Sequence, residues 1–257
     1  MIKKILKYTV IALVWLGIWQ LAAMIIGSEL LFPTPLAVAK RLFELMLTAD
    51  FYKTVGTSLL RILIGMIIGT AIGAMGGILT AFSRTARDFF APLLAVVKST
   101  PVASFIILMV LWISRGTTPL IISLMMVTPI VWTNVETGIL NTDRALLEMA
   151  KCYKMSRSAR IKQIYLPGIS PYFLAALKSS LGMAWKAGIA AEVLLQPMIS
   201  IGKMISDSKI LLETTDLFAW TVVVVILSVV IEKIMVLVLK KALKNRAASD
   251  KGGVTVG

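Results

Sequence analysis

Long apolar runs separated by short charged breaks organise this chain. They fall at about 8–27, 55–82, 89–114, 118–139, 172–195 and 217–239, each long enough to cross roughly 30 Å of hydrocarbon as a helix. The pattern predicts an all-α, polytopic membrane protein with about six transmembrane helices. Lys3-Lys4 ahead of the first run mimics a signal peptide. The run is longer than a typical signal core and no clear A-x-A site follows it, so it reads as an uncleaved first span.

Shorter periodicities lie between the spans. After Phe32-Pro33, Thr34 fits an N-cap with Pro35 at the first helical position. Val38, Ala39, Leu42, Leu45 and Met46 then share one helical face, and Lys40, Arg41 and Glu44 lie off it. This predicts a short surface helix that serves either span packing or docking of an external partner. In the connection 140–171, Leu146, Met149, Ala150 and Tyr153 recur at helical spacing, away from Arg144, Glu148 and Lys151. Such a helix is too short to be stable alone in water. Ser156 fits the cap of a second turn through Arg157–Gln163, and Pro167 and Pro171 are expected to break the chain before the fifth span. Periodicity leaves two readings of this connection, self-packing and docking on a partner.

Composition sharpens the picture. Of 257 residues, 58% are hydrophobic and 16% charged, with mean hydropathy +0.89; a soluble domain carries about a quarter charged residues. Nothing resembling a separate soluble domain remains, so residues 1–246 read as a single transmembrane domain. The Gly-, Ser- and Ala-rich 247–257 reads as a flexible tail. The single Cys152 excludes an internal disulfide framework and a cysteine metal site, and no histidine is present. No metal site is expected.

The net charge of +14 is distributed by side. With both termini on one side, the segments sharing that side (1–7, 83–88, 140–171 and 240–257) hold 16 Lys/Arg, and the opposite segments hold 6. That asymmetry assigns both termini to the cytoplasm. The basic excess is then a topology signal, and no nucleic-acid partner is expected.

Within the spans, Gly65, Gly69, Gly73 and Gly77 recur every four residues, the spacing of a close helix–helix contact in lipid. The fifth span has a similar stripe in Ala176, Ser180, Ala184 and Gly188, continued by Glu192. Such a stripe either packs closely or lines a solute path. Lys98 and Lys186 lie deep in apolar runs, and Glu136, Glu192 and Glu232 nearer their ends. Ionisable groups at depth are expensive and usually face an interior or a wet cavity. For the two lysines, snorkelling or carboxylate pairing stands beside a path attractive to anions. The phosphate-binding pattern G-x-x-x-x-G-K-[ST] does not occur, so the chain is not expected to be an enzyme or to hydrolyse ATP itself. A secondary transporter would use inverted repeats, and none is evident.

Glu148-Met149-Ala150, followed at fixed distance by Ile164-Tyr165-Leu166-Pro167, resembles the E-A-A…G…I-x-L-P loop of ABC importer permeases. Met149 stands for the first alanine and Lys154 for the glycine. Leu31 to Pro35, Ser58 to Arg61, Ser99 to Val102 and Ala184 to Glu192 resemble the nitrate/sulfonate/taurine branch. The resemblance implies that Glu148, Ala150, Ile164, Leu166 and Pro167 couple to an ABC ATPase subunit, with Lys151 and Arg157 as charged rim contacts. It implies a homodimer in the lipid bilayer of a prokaryotic plasma membrane, with the translocation path between paired fifth spans along Ser180, Ala184, Gly188 and Glu192. The anion reading of the two deep lysines adds Lys98 and Lys186 to that path. The resemblance also implies an extracytoplasmic solute-binding protein, ATP and Mg on the partner ATPase with no cofactor in this chain, and a small anionic solute. Another importer branch, for amino acids or a vitamin precursor, remains the alternative within ABC transport. In that family the glycine replaced by Lys154 serves a turn, where a side chain costs on the order of 1 kcal/mol.

Overall fold

The computed structural model describes residues 2–252 and is helical, with no strand among the described residues. The chain forms two compact units, 1–59 with 192–227, and 60–191 with 228–257. Three long helices contribute to both.

The first unit contains α1 (Ile2–Ile26), α2 (Pro35–Met46), the start of α3 (Ala49–Phe82), α10 (Ile201–Ile210) and the start of α11 (Thr214–Gly252). Thr34 caps α2, its side chain accepting from the Ala37 N–H at 3.2 Å, and Pro35 opens the helix as expected. Val38 is the deeply buried member of the predicted apolar face. Trp19 of α1 meets Phe32 and Phe218 with ring centroids 6.4 and 5.9 Å away, and its Nε1–H donates to the Pro33 carbonyl at 3.0 Å. The end of α1 therefore lies beside the start of α11, as expected of antiparallel neighbours. Arg41 grips Asp216 with two prongs, the Nη2 contact at 2.8 Å. That hydrogen bond raises the guanidinium above its ordinary pKa against the opposing effect of burial.

The second unit holds the rest of α3, α4 (Arg84–Ser99), α5 (Val102–Met109), α6 (Thr118–Leu140), α7 (Arg144–Cys152), α8 (Arg157–Arg160), a π-turn at Ile161–Tyr165, and α9 (Leu166–Leu195) up to Ala191. Its core contains Met66, Val127, Val131, Val135, Ile139, Ala176, Leu181 and Ala184. The glycine ladder of α3 is a contact with α6. A Cβ at Gly65, Gly69, Gly73 or Gly77 would stand 2.2, 2.7, 2.6 or 2.5 Å from the carbonyl oxygen of Leu120, Leu124, Thr128 or Trp132. Backbones this close exclude any side chain, so the spacing found in the sequence is a packing device. Both residue series ascend, and α3 and α6 are therefore parallel. The series against α9 descends: Gly138 abuts Ile169 and Tyr172, and the Ser123 hydroxyl donates to the Ala184 carbonyl at 3.3 Å. Helix α9 thus runs antiparallel to α6.

Among the described residues, four helices are long and apolar enough to cross a membrane: Leu6–Ile26, Ala49–Phe82, Thr118–Leu140 and Thr214–Met235. They match the first, second, fourth and sixth predicted spans. The third, expected as one run over 89–114, is instead α4 and α5 bent by 100°. Pro101 causes the break, because it lacks an N–H and forces Thr100 out of the helical region, to ψ 130°. Parallel α3 and α6 nevertheless require a return crossing between them, and the bent pair occupies that stretch. The fifth prediction falls in α9, whose 30 residues reach about 45 Å at 1.5 Å per residue. It carries Lys178, Lys186 and Glu192 among its apolar residues.

Two expectations need correction. Pro167 and Pro171 do not break the chain before the fifth span, because α9 begins at Leu166 and includes both. Pro167 comes just after the π-turn Ile161–Tyr165 with no break in the helix, and Pro171 is exposed, so water can satisfy the carbonyl left free. The expected tail begins too early, since α11 is helical through Gly252. Ala247 and Ala248 continue a stretch rich in good helix formers, and residues 253–257 lie outside the described part.

Candidate functional site

The connection from α6 to α9 is built by a chain of local caps. Asp143 starts α7, its carboxylate accepting from the Ala145 N–H at 2.8 Å. The helix ends in a left-handed turn at Lys154, φ 51°. There the Met155 N–H reaches back to the Ala150 carbonyl at 2.9 Å, as in a Schellman closure. Lys154 therefore adopts the conformation expected of a glycine. Ser156 then caps α8 through the Ala159 N–H at 3.2 Å. The π-turn follows without a break, the Leu166 N–H bonding to the Ile161 carbonyl. Tyr165 leaves it to meet Phe82 at the end of α3, with ring centroids 5.7 Å apart and nearly perpendicular.

Burial sorts the predicted coupling residues into two sets. Ala150 and Ile164 are 1% and 5% exposed, packed within the unit, where they can position the element. Glu148, Lys151, Arg157, Leu166 and Pro167 are exposed. The apolar stripe of α7 is left open as well: Leu146 is 43%, Met149 45% and Tyr153 78% exposed. Of its four members, only Ala150 is covered by the chain's own helices. The arrangement is a short amphipathic helix fixed at both ends, with apolar and charged groups turned outward.

Close by in sequence, the turn from α3 to α4 carries a polar knot that the sequence reading overlooked. Arg87 pairs with Glu136 of α6 at 2.6 Å and donates to the Thr80 carbonyl at 3.1 Å. The Trp132 Nε1–H donates to the Thr80 hydroxyl at 3.1 Å, and its ring lies against Phe90 and the open face of Gly76. The adjacent pair Gly76-Gly77 was the available signal, since only Gly77 is needed for the four-residue ladder.

The predicted path residues divide likewise. Ser180, Ala184 and Gly188 are buried. A Cβ at Gly188 would lie 2.6 Å from the Ile62 side chain and 2.7 Å from the Ser123 hydroxyl. Within this unit the small-residue stripe of α9 packs against α3 and α6. Lys98 and Lys186 are exposed. Ser179, Met183, Lys186, Ala190 and Leu194 form the outward strip of α9. Glu192 is fully buried in the other unit, with its carboxylate accepting from the Ser58 hydroxyl at 2.7 Å.

Long apolar helices with exposed apolar residues, and an exposed amphipathic connection between two of them, are features of a membrane protein with a surface for a partner. Residues 63–248 match the family described as the binding-protein-dependent transport system inner membrane component, and the chain belongs to that family. It is the permease component of an ABC importer. It is 27% identical over 244 residues to a putative aliphatic sulfonates transport permease protein of Bacillus subtilis (strain 168), covering 94% of this chain and 88% of that protein. It is 26% identical over 230 residues to the taurine transport system permease protein of Escherichia coli (strain K12), covering 87% and 82%. The nitrate import permease protein of Synechococcus elongatus (strain ATCC 33912 / PCC 7942 / FACHB-805) is 27% identical over 205 residues, covering 75% and 73%.

Proposed function

We propose that this permease couples to a separate ATPase through the α7 to π-turn element and carries a small sulfonate, taurine-like or nitrate-like solute inward. The observation that carries the coupling reading is the uncovered surface of α7. Leu146, Met149 and Tyr153 are exposed beside Glu148 and Lys151, on an element too short to hold an apolar face to water without a partner. In this reading both termini and the α7 element face the cytoplasm, following the Lys/Arg distribution. Two copies of the chain form the path with two ATPase subunits. ATP-driven closure of those subunits displaces α7, and the π-turn and the Tyr165–Phe82 contact pass the movement to α9 and α3. An external binding protein supplies the solute.

The anionic solute is supported by the branch of relatives and by two exposed lysines, Lys98 of α4 and Lys186 of α9. The test of coupling is Glu148→Lys. The variant enters the membrane in normal amount, co-purifies poorly with its ATPase, and supports little uptake. Normal co-purification with normal uptake would refute the assignment.

A further inference from the structure

The last turn of α9 seals a carboxylate inside the first unit. Glu192 is 0% exposed, in a protein whose deep ionisable groups are expensive to bury. Its Oε2 accepts from the Ser58 hydroxyl at 2.7 Å and from the Gly202 N–H at 3.3 Å. The Ser58 oxygen in turn accepts from the Ile201 N–H at 2.9 Å. Two of the N–H groups that the start of a helix leaves unsatisfied therefore end on Glu192 and its partner Ser58. The positive end of α10 also faces the carboxylate.

Packing makes the seat exclusive. A Cβ at Gly202 would stand 2.3 Å from the Glu192 Cβ and 2.4 Å from the Val193 nitrogen, so α10 occupies this position only with glycine there. The Ser200 hydroxyl caps α10 through the Lys203 N–H at 3.1 Å. Gln196, at φ 49°, donates to the Ser206 hydroxyl and closes the connection from α9. Seated in this way, α10 supplies one wall of an open cleft of about 470 Å³. Its Met204 and Asp207 line the cleft together with Arg41, Asp50 and Phe51.

We infer that Glu192 is a positioning residue for transport: it seats α10 and thereby sets the outer cleft between α10 and the α2–α3 corner. This rests on the permease reading and the orientation proposed above. No ligand is needed on Glu192 itself, because its effect on the solute passes through α10.

The test uses the full chain with Cys152→Ser and a reporter cysteine at a buried α10 position, Ile201→Cys or, separately, Ser208→Cys. A membrane-impermeant maleimide is applied to right-side-out vesicles. Glu192→Ala and Gly202→Ala raise the labelling rate of both reporters at least about tenfold, the scale expected when hydrogen bonds to a charged group are lost. Glu192→Gln keeps an acceptor oxygen for Ser58 and Gly202 and stays closer to the parent than to Glu192→Ala. With partner subunits present and taurine as the probe, Glu192→Ala lowers the maximal uptake rate in parallel, and Glu192→Gln retains most of it. Unchanged labelling in Glu192→Ala and Gly202→Ala overturns the inference. So does equal loss of Glu192→Gln and Glu192→Ala from the membrane, the mark of a purely structural residue. A parent that takes up no taurine counts against the solute reading alone, and labelling still decides the seat.

Discussion

Gly69 of α3 faces the backbone of Leu124 so closely that a Cβ would lie 2.7 Å from its carbonyl oxygen and 3.1 Å from its Cα. Backbone cannot give way as a flexible side chain can. Gly69→Ala should therefore cost about 1–3 kcal/mol, the usual penalty of overpacking. Gly182 has nothing within 4 Å of its Cβ position, and Gly182→Ala should be close to neutral or mildly stabilising in the middle of α9. Thermal unfolding of the two purified variants in the same detergent separates them.

The Arg87–Glu136 pair joins the α3–α4 turn to α6, and its carboxylate is the less exposed partner, at 14%. Arg87→Ala should destabilise more than Arg87→Ala combined with Glu136→Ala, because the single change leaves a mostly buried charge unpaired. A double-mutant cycle on unfolding should return a coupling of about 0.5–3 kcal/mol. Strict additivity would mean that the contact contributes nothing.

Lys154 pays for a left-handed turn that glycine adopts freely. Lys154→Gly should stabilise the α7 element by about 1 kcal/mol. Proteolytic clipping between α7 and α8 should then slow severalfold, with the long helices unaffected. Lys154→Val, β-branched at φ 51°, should do the reverse.

Much of this was legible in the sequence, for identifiable reasons. The glycine ladder, the Thr34, Asp143 and Ser156 caps and four long spans follow from short-range rules of spacing and capping; of these, the sequence reading passed over only the Asp143 cap. The 100° bend was foreshadowed by Pro101 but hidden by unbroken hydropathy, which does not register a missing N–H. The stripe Ser180, Ala184 and Gly188 could be read as packing or path, since small residues serve both, and spacing alone does not show that Ile62 and Ser123 stand against Gly188. Gly202 and Ser58 were invisible as partners of Glu192 because they lie 10 and 134 residues away from it. Ala150 and Ile164 belong to the motif proposed to couple, yet they are buried, and a motif does not state which of its members would touch a partner.

Lys186 stands on the outward strip of α9, clear of the buried stripe. If it draws an anionic solute into the path, Lys186→Met should lower uptake by about tenfold or more, the smaller end of the effect of a charge-lined passage. Lys186→Arg should keep most of the activity. Equal uptake by Lys186→Met and the parent would remove this lysine from the path.

The coupling claim meets its most direct test at Cys152, the single cysteine, which is exposed at the last turn of α7. A photoactivatable maleimide placed there in the assembled transporter should cross-link to the ATPase subunit. The yield should change between nucleotide-free and ATP-bound states, and Cys152 should resist an impermeant thiol reagent applied from outside the cell. A probe at Cys152 that never reaches the ATPase in either state, or that is labelled from outside, would contradict the account.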